Sequence, residues 1–446
     1  MNSISKPLPT AEAETGLTVI RALLRERSLL TALTITHDAV GNAFQITLPR
    51  FQPAVFSGPD SNRQILVSDR SKFSWRSAGD PVTRLLGKGV LVTDGEEHDY
   101  LRSIMNPTLQ RKYVLPYVEA FWKRTDQIVS GWENGKQYDM LVEMRRIALL
   151  ILFDTLFKVD LTPHLDRLWE TILQLLEFIA PGSWIFWSGI PRPKYRKAIR
   201  EMDRYLYGII QTRRETLERY GNEIDGDDLL TLLVRNPRMS DELIRDQLLT
   251  ILIAGHDTST ALLAWVLFLL GSHSHALAQA GLEAHQVFGN RQAPPDDDQL
   301  DKLEYLDQVI KETLRMYPPI HVGNRIAAED TEIQGYRVPE GTRVMCSYYL
   351  SHHDELLWEE PERFKPERFN RRDPEKIPPL TYTPFGGGPR NCIGAAYSQI
   401  EAKVVLSRIL QTFQLQLVEG QKIRPYMGAT LEPRPGVKMR VWRRSS

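Results

Sequence analysis

From about residue 95 to residue 320, apolar side chains return every third or fourth position with few breaks, the spacing of helices that bury one face against their neighbours. Ahead of this region, Phe44, Ile46 and Leu48 alternate with polar residues, and Pro49 and Pro53 punctuate the chain, so residues 40–70 read as short strands. Strand signals return at 332–349, where Gly335-Tyr336 and Pro339-x-Gly341 mark turns. A last helix is predicted just after Cys392, with Ile400, Val404 and the Leu406 to Leu410 region at helical spacing. The order of small sheet, many helices, small sheet, proline-rich loop and helix predicts a mainly α fold with small β-sheets. No internal repeat or low-complexity linker divides the 446 residues, a length that fits one large domain or two coupled ones.

One helix departs from the amphipathic rule. Ser240 is placed to cap it, Asp241 and Glu242 suit its first turn, and it runs to about Gly271, roughly 45 Å at 1.5 Å per residue. It is apolar nearly all round, as a deeply buried helix or a membrane span is. Gly255-His256-Asp257-Thr258-Ser259-Thr260 breaks the apolar run at its middle, which argues against a span. Polar groups halfway along a buried helix need partners, so this stretch is a candidate functional site; His256 within it reads as structural.

Charge narrows the choices further. The 56 basic residues balance the 56 acidic ones, so no overall field favours nucleic acid or anionic lipid. The N-terminal part has no apolar stretch of signal-peptide or membrane-span length, Leu17 to Ile20 being far too short, and the expectation is a soluble, cytoplasmic protein. Two cysteines, Cys346 and Cys392, are too few for a disulfide framework or a four-thiolate metal site. Cys346 falls in the run Val344, Cys346, Tyr348, one face of a strand, and reads as inert core.

Cys392 stands in Phe385-Gly386-Gly387-Gly388-Pro389-Arg390-Asn391-Cys392-Ile393-Gly394. Glycines let this backbone turn sharply and approach a flat macrocycle, and a helix start favours a thiolate through its amide dipoles. The segment resembles the haem-binding signature of the cytochromes P450, Phe-x-x-Gly-x-Arg-x-Cys-x-Gly, with every fixed position matched. The resemblance implies haem b held by Cys392 as axial thiolate, with Phe385, Gly386 and Gly394 around it and Arg390 neutralising a propionate.

Three further segments follow in the family's order. Ala254-Gly255-His256-Asp257-Thr258 is similar to the motif of the family's long central helix: Ala254 and Thr258 are four apart on one face, a small residue leaves room for haem and oxygen, and Asp257 and Thr258 can relay protons. The competing reading is a threonine bonded back to its helix and an aspartate paired with a base. Glu312-Thr313-Leu314-Arg315 precedes Pro318-Pro319. By resemblance Glu312 and Arg315 join Arg368 in a structural network; Arg368 is preferred to Arg363 because Pro361, Phe364, Pro366, Arg368 and Phe369 fit the longer family pattern. Asp94 to Arg102 looks like the start of a helix that usually carries Trp-x-x-x-Arg. His98 stands where Trp is usual, and His98, Arg102 and Arg325 are implied as further haem contacts.

The resemblance implies the family's helical prism enclosing haem, a single catalytic domain over 1–446. Residues 1–40 form a lead-in, landmarks run from about 40 to 442, and there is no fused reductase. It implies a monooxygenase using O2 and electrons that come ultimately from NAD(P)H through a ferredoxin- or flavodoxin-type partner and its reductase. A peroxide-driven peroxygenase or isomerase and a haem sensor or carrier are the alternatives. Arg111 and Lys112 are candidates for the docking patch. Val82, Leu85, Leu86, Leu262, Ile320, Val322 and Met427 form the expected substrate pocket, and Trp184-Ile185-Phe186-Trp187 is a ligand gate, a membrane-touching surface or a satellite core under its loop. Since none of these carries a charge, the expected substrate is largely apolar, of fatty-acid, terpenoid or carotenoid-like character.

Overall fold

A computed structural model of the chain describes residues 5–444 apart from 27, 49, 76–78, 183–190, 222–227 and 372–376. Helices dominate it. The six that shape the site are labelled here in chain order: α1 (Pro81–Leu86), α2 (Gly95–Met105), α3 (Met140–Leu152), α4 (Asp241–Ser272), α5 (Glu304–Met316) and α6 (Ala395–Thr412). Side-chain caps fix where three of them begin. Asp80 accepts from the Val82 amide at 2.9 Å, Asp139 from Leu141 at 3.0 Å, and Ser240 from Leu243 at 3.2 Å, each satisfying an amide the helix itself leaves unpaired.

By length and composition α4 alone among the described helices is apolar enough to cross a membrane, yet 78% of its apolar window is buried inside the protein. It is the axis of the principal core. Side chains of α3, α5 and α6 all contribute to the same cluster, and the indole N–H of Trp265 on α4 is satisfied by the Leu431 carbonyl at 2.9 Å.

Beside the helices lies a five-stranded sheet with spatial order Ala43–Gln45, Ala54–Phe56, Arg343–Ser347, Val322–Ala327 and Phe73–Ser74. Only the Ala54–Phe56 and Arg343–Ser347 pair is parallel, with Phe56 opposite Cys346. A hairpin of Arg424–Met427 and Leu431–Arg434 caps the far side of α4.

Two sequence expectations are corrected here. Strand structure in the 40–70 region is confined to Ala43–Gln45 and Ala54–Phe56, whereas Pro59–Arg63 and Gln64–Ser68 are helical. Pro59 sits at a first helical position, where its missing N–H costs nothing, so the proline marks a helix start. Tyr348 opens the short helix Tyr348–His353 and does not continue the strand, although it stays buried beside Val344 and Cys346. The Cys346 thiol donates to Asn62 Oδ1 at 2.7 Å and is pushed up to about 12 by burial, which leaves it without thiolate character at neutral pH.

Candidate active site

The loop from Phe385 to Gly394 is held by its own backbone. The Cys392 amide donates to the Phe385 carbonyl at 2.8 Å, and the Asn391 amide to Gly388 at 3.0 Å. Gly388 has φ of 66°, and a Cβ there would fall 2.2 Å from the Leu66 carbonyl, so both the turn and the packing demand glycine. Cys392 thereby opens onto a cavity of about 1720 Å³ between α4 and the start of α6. Burial raises the Cys392 thiol above its ordinary value; a hydrogen bond from the Gly394 amide and the positive charge of Arg102 pull the other way, toward the thiolate.

Three arginines and a histidine converge on the same cavity. Arg102, Arg325, Arg390 and the buried His98 all line it. Arg102 donates to Asn391 Oδ1 at 2.8 Å, Arg390 pairs with Asp94 at 2.7 Å, and Arg325 lies 3.9 Å over the Trp75 ring. Burial pulls both Arg102 and Arg390 below the usual guanidinium range, and for Arg390 the nearby Arg325 and Arg102 add to it against Asp94. Burial also lowers the pKa of His98, whose Nδ1 is 2.8 Å from Asp99. Cationic groups concentrated on one wall of a closed space call for an anionic occupant.

Ala254, Thr258 and Ser259 present the middle of α4 to this cavity. The Thr258 hydroxyl donates to the Ala254 carbonyl at 2.7 Å, which leaves its oxygen lone pairs as acceptors. Asp257 accepts from Arg145 at 2.9 Å and from Thr430 at 2.8 Å, and Arg145 also reaches Glu432 at 3.1 Å. Both bonds of the competing reading are therefore present. Ser259 donates to Glu401 of α6 at 2.5 Å and so ties the two walls together; burial lifts that carboxyl to about 8. Burial pushes His256 down to about 3, so it is neutral, and it faces the Leu252 carbonyl, one turn back along its own helix.

Behind the cysteine loop, Glu312, Arg315 and Arg368 are buried together. Arg315 grips Glu312 through two bonds of 2.8 and 2.9 Å, and Arg368 reaches it at 3.3 Å, whereas Arg363 pairs with Glu360 on the surface. His352, which sequence reasoning passed over, links this network to the loop. Its Nε2 accepts from the Thr383 amide at 2.9 Å, so Nδ1 carries the proton toward the Arg315 carbonyl at 3.1 Å. The neighbouring His352-His353 pair gave no periodic signal that could have singled it out.

Val82, Leu86, Leu262, Ile320, Val322 and Met427 line the cavity as expected, but Leu85 does not. Val82 and Leu86 are four apart on one face of α1, while Leu85 lies on the adjoining face and packs into the core at 2% exposure. Arg111 pairs with Asp297 and Asp301, whereas Lys112 lies 4.6 Å over the Tyr113 ring and has no ion pair among the described residues. The aromatic segment at 184–187 lies outside the described residues.

Comparison with known proteins agrees with this geometry. The sequence profile described as Cytochrome P450 matches residues 17–440. "Putative cytochrome P450 135B1" of Mycobacterium bovis is 30% identical over 443 residues, covering 95% of this chain and 89% of its own. "Cyclooctatin synthase" of Streptomyces melanosporofaciens is 29% identical, covering 82% and 81% respectively, and "Cytochrome P450 4d2" of Drosophila melanogaster is 29% identical, covering 87% and 84%. The chain belongs to the cytochrome P450 family. It is a haem-dependent monooxygenase of that fold, and enzymes of this family draw electrons from redox partners and oxygen from O2.

The residues fit the cofactor. The cavity exceeds the roughly 300–1,000 Å³ of an ordinary small-molecule pocket, leaving room for a macrocycle and a substrate together. A sulfur opens onto it, and the arginines match two propionates in sign.

Proposed function

We propose that this chain hydroxylates or epoxidises a largely apolar molecule of fatty-acid, terpenoid or carotenoid-like character. Electrons come ultimately from NAD(P)H through a ferredoxin- or flavodoxin-type donor and its reductase, and the setting is the cytoplasm. The observation that carries the reading is the convergence of Cys392, Thr258 and the apolar side chains of Leu86, Leu262, Val322 and Met427 on one cavity.

In this reading Cys392 is the axial thiolate and Phe385, Gly386 and Gly394 shape its loop, while Arg102, Arg325, Arg390 and His98 hold the propionates. When bound, haem supplies two-electron activation of O2, one oxygen atom entering the substrate and the other leaving as water. Ala254 leaves space above it. Thr258, its proton committed to the Ala254 carbonyl, offers an acceptor that orients a proton donor, and Asp257, on turning away from Thr430, would take up a proton from solvent and pass it on. Arg145 keeps Glu432 as a partner while Asp257 turns, so no guanidinium is stranded. The apolar lining excludes water, and Glu312, Arg315 and Arg368 hold the loop behind the sulfur.

Thr258→Ala and Asp257→Asn are expected to keep haem and substrate binding but to lower product formed per NAD(P)H consumed by about a hundredfold, the lower end of the range for a lost proton-transfer group. Unchanged coupling in both variants removes the pair from proton delivery.

The test of the substrate class is a homologous series of fatty acids and alcohols, followed by the spin-state shift of the ferric protein. Affinity should rise by at most about 0.8 kcal/mol per methylene until the cavity is filled. Indifference to chain length, or a best response to small polar compounds, contradicts the apolar pocket.

A further inference from the structure

One polar side chain in the substrate half of the cavity has no place in the scheme above. His321 lies between α5 and the strand Val322–Ala327, directly between the pocket residues Ile320 and Val322. Its backbone is fixed on both sides. The Leu431 amide donates to the Pro319 carbonyl at 2.9 Å, and the Tyr349 amide to the His321 carbonyl at 3.1 Å, so the ring is held between the hairpin and the short helix Tyr348–His353. The residue is 8% exposed and lines the cavity.

The two ring nitrogens differ. Nδ1 is sealed off from solvent-accessible space without a well-aligned partner, beside the Pro319 backbone. Nε2 makes no side-chain hydrogen bond and is not sealed off, so in a residue that lines the cavity it is the nitrogen open to a ligand. Burial pushes the imidazole down to about 4, so at neutral pH the ring is uncharged and each nitrogen is either a donor or an acceptor. A neutral imidazole on a cavity that Ile320, Val322, Leu262 and Met427 also line is an unmet hydrogen-bonding group beside apolar side chains. Such a group penalises a ligand that covers it without bonding to it, and rewards one that bonds.

We propose that His321 is a specificity-determining residue that hydrogen-bonds a hydroxyl group of the substrate, so that the preferred substrates are apolar skeletons already carrying a hydroxyl. A hydroxyl suits this position because it can donate to the ring or accept from it, whichever nitrogen holds the proton. The class of reaction that supplies the substrate is then one that leaves an alcohol on a hydrocarbon framework, and this chain adds a second oxygen. The proposal rests on the apolar-pocket reading and sharpens it.

The experiment measures Kd by calorimetry and by the ferric spin-state shift for two ligands of similar shape, cyclododecanol and methylcyclododecane, in the haem-loaded protein. Wild type is compared with His321→Phe and His321→Gln. The Kd ratio of alcohol to hydrocarbon should rise about tenfold in His321→Phe, the size expected when a buried hydroxyl loses its partner, and return part of the way in His321→Gln. The hydrocarbon serves as the packing control, since a ring of different shape alters its binding without altering the ratio. A ratio equal in wild type and His321→Phe overturns the proposal while leaving the apolar pocket intact. A low-spin shift with the alcohol that persists in His321→Phe shows direct ligation to iron and overturns it too. Failure of both ligands to bind wild type overturns the apolar-pocket reading, and this proposal with it.

Discussion

Glu312→Gln should give a protein that retains little haem and unfolds well below wild type. The Glu312 carboxylate pairs with two guanidinium groups, and Glu312, Arg315 and Arg368 are all fully buried. An amide keeps the shape but removes the charge, leaving two buried cations near each other without the Glu312 carboxylate, although Arg315 still reaches the carbonyls of His352 and Pro361 and Arg368 that of Glu360. Breaking such a pair costs about 3–5 kcal/mol, against total stabilities of roughly 5–15 kcal/mol. The damage should pass through His352 to Thr383 and the cysteine loop, so the ratio of haem to protein absorbance should fall together with the unfolding temperature. Arg363→Ala is the control, because that side chain is 66% exposed and its pairing with Glu360 is worth little. Normal haem content and melting in Glu312→Gln would show that the network does not support the loop.

How much of this was legible in the sequence depended on the range of the interactions. The limits of α4 follow from Ser240, the acidic first turn and the unbroken apolar run, all of which are local. The cysteine loop follows from fixed residue types at fixed spacing. Arg368 could be preferred to Arg363 because prolines and phenylalanines around it set a longer pattern. Contacts between distant segments leave no such trace. The partners of Asp257 lie 112 positions before it and 173 after it, so the sequence offered a relay and a salt bridge as rivals, and the structure shows Asp257 bonded to both partners while it and its helix neighbour Thr258 both line the cavity. His321 escaped notice because a single histidine between apolar residues breaks no period. Leu85 was assigned to the pocket by proximity in sequence, although one helical step turns it off that face. The helical stretch from Pro59 was read as strand because a proline at a helix start and one at a strand edge look alike without tertiary context.

The central claim is that Cys392 supplies the sulfur to the haem iron, and it has the largest single consequence of any residue here. No other described cysteine can take that role, since Cys346 is sealed in the sheet with its thiol bonded to Asn62. Cys392 alone opens onto the cavity, with the Gly394 amide and Arg102 arranged to favour its anionic form. The most direct measurement is the absorption spectrum of the dithionite-reduced, carbon monoxide-treated protein in wild type, Cys392→Ser and Cys346→Ser. The account predicts the strongly red-shifted Soret band of a thiolate-ligated haem in wild type and Cys346→Ser, and its complete loss in Cys392→Ser. A band that survives in Cys392→Ser, or disappears in Cys346→Ser, would contradict it.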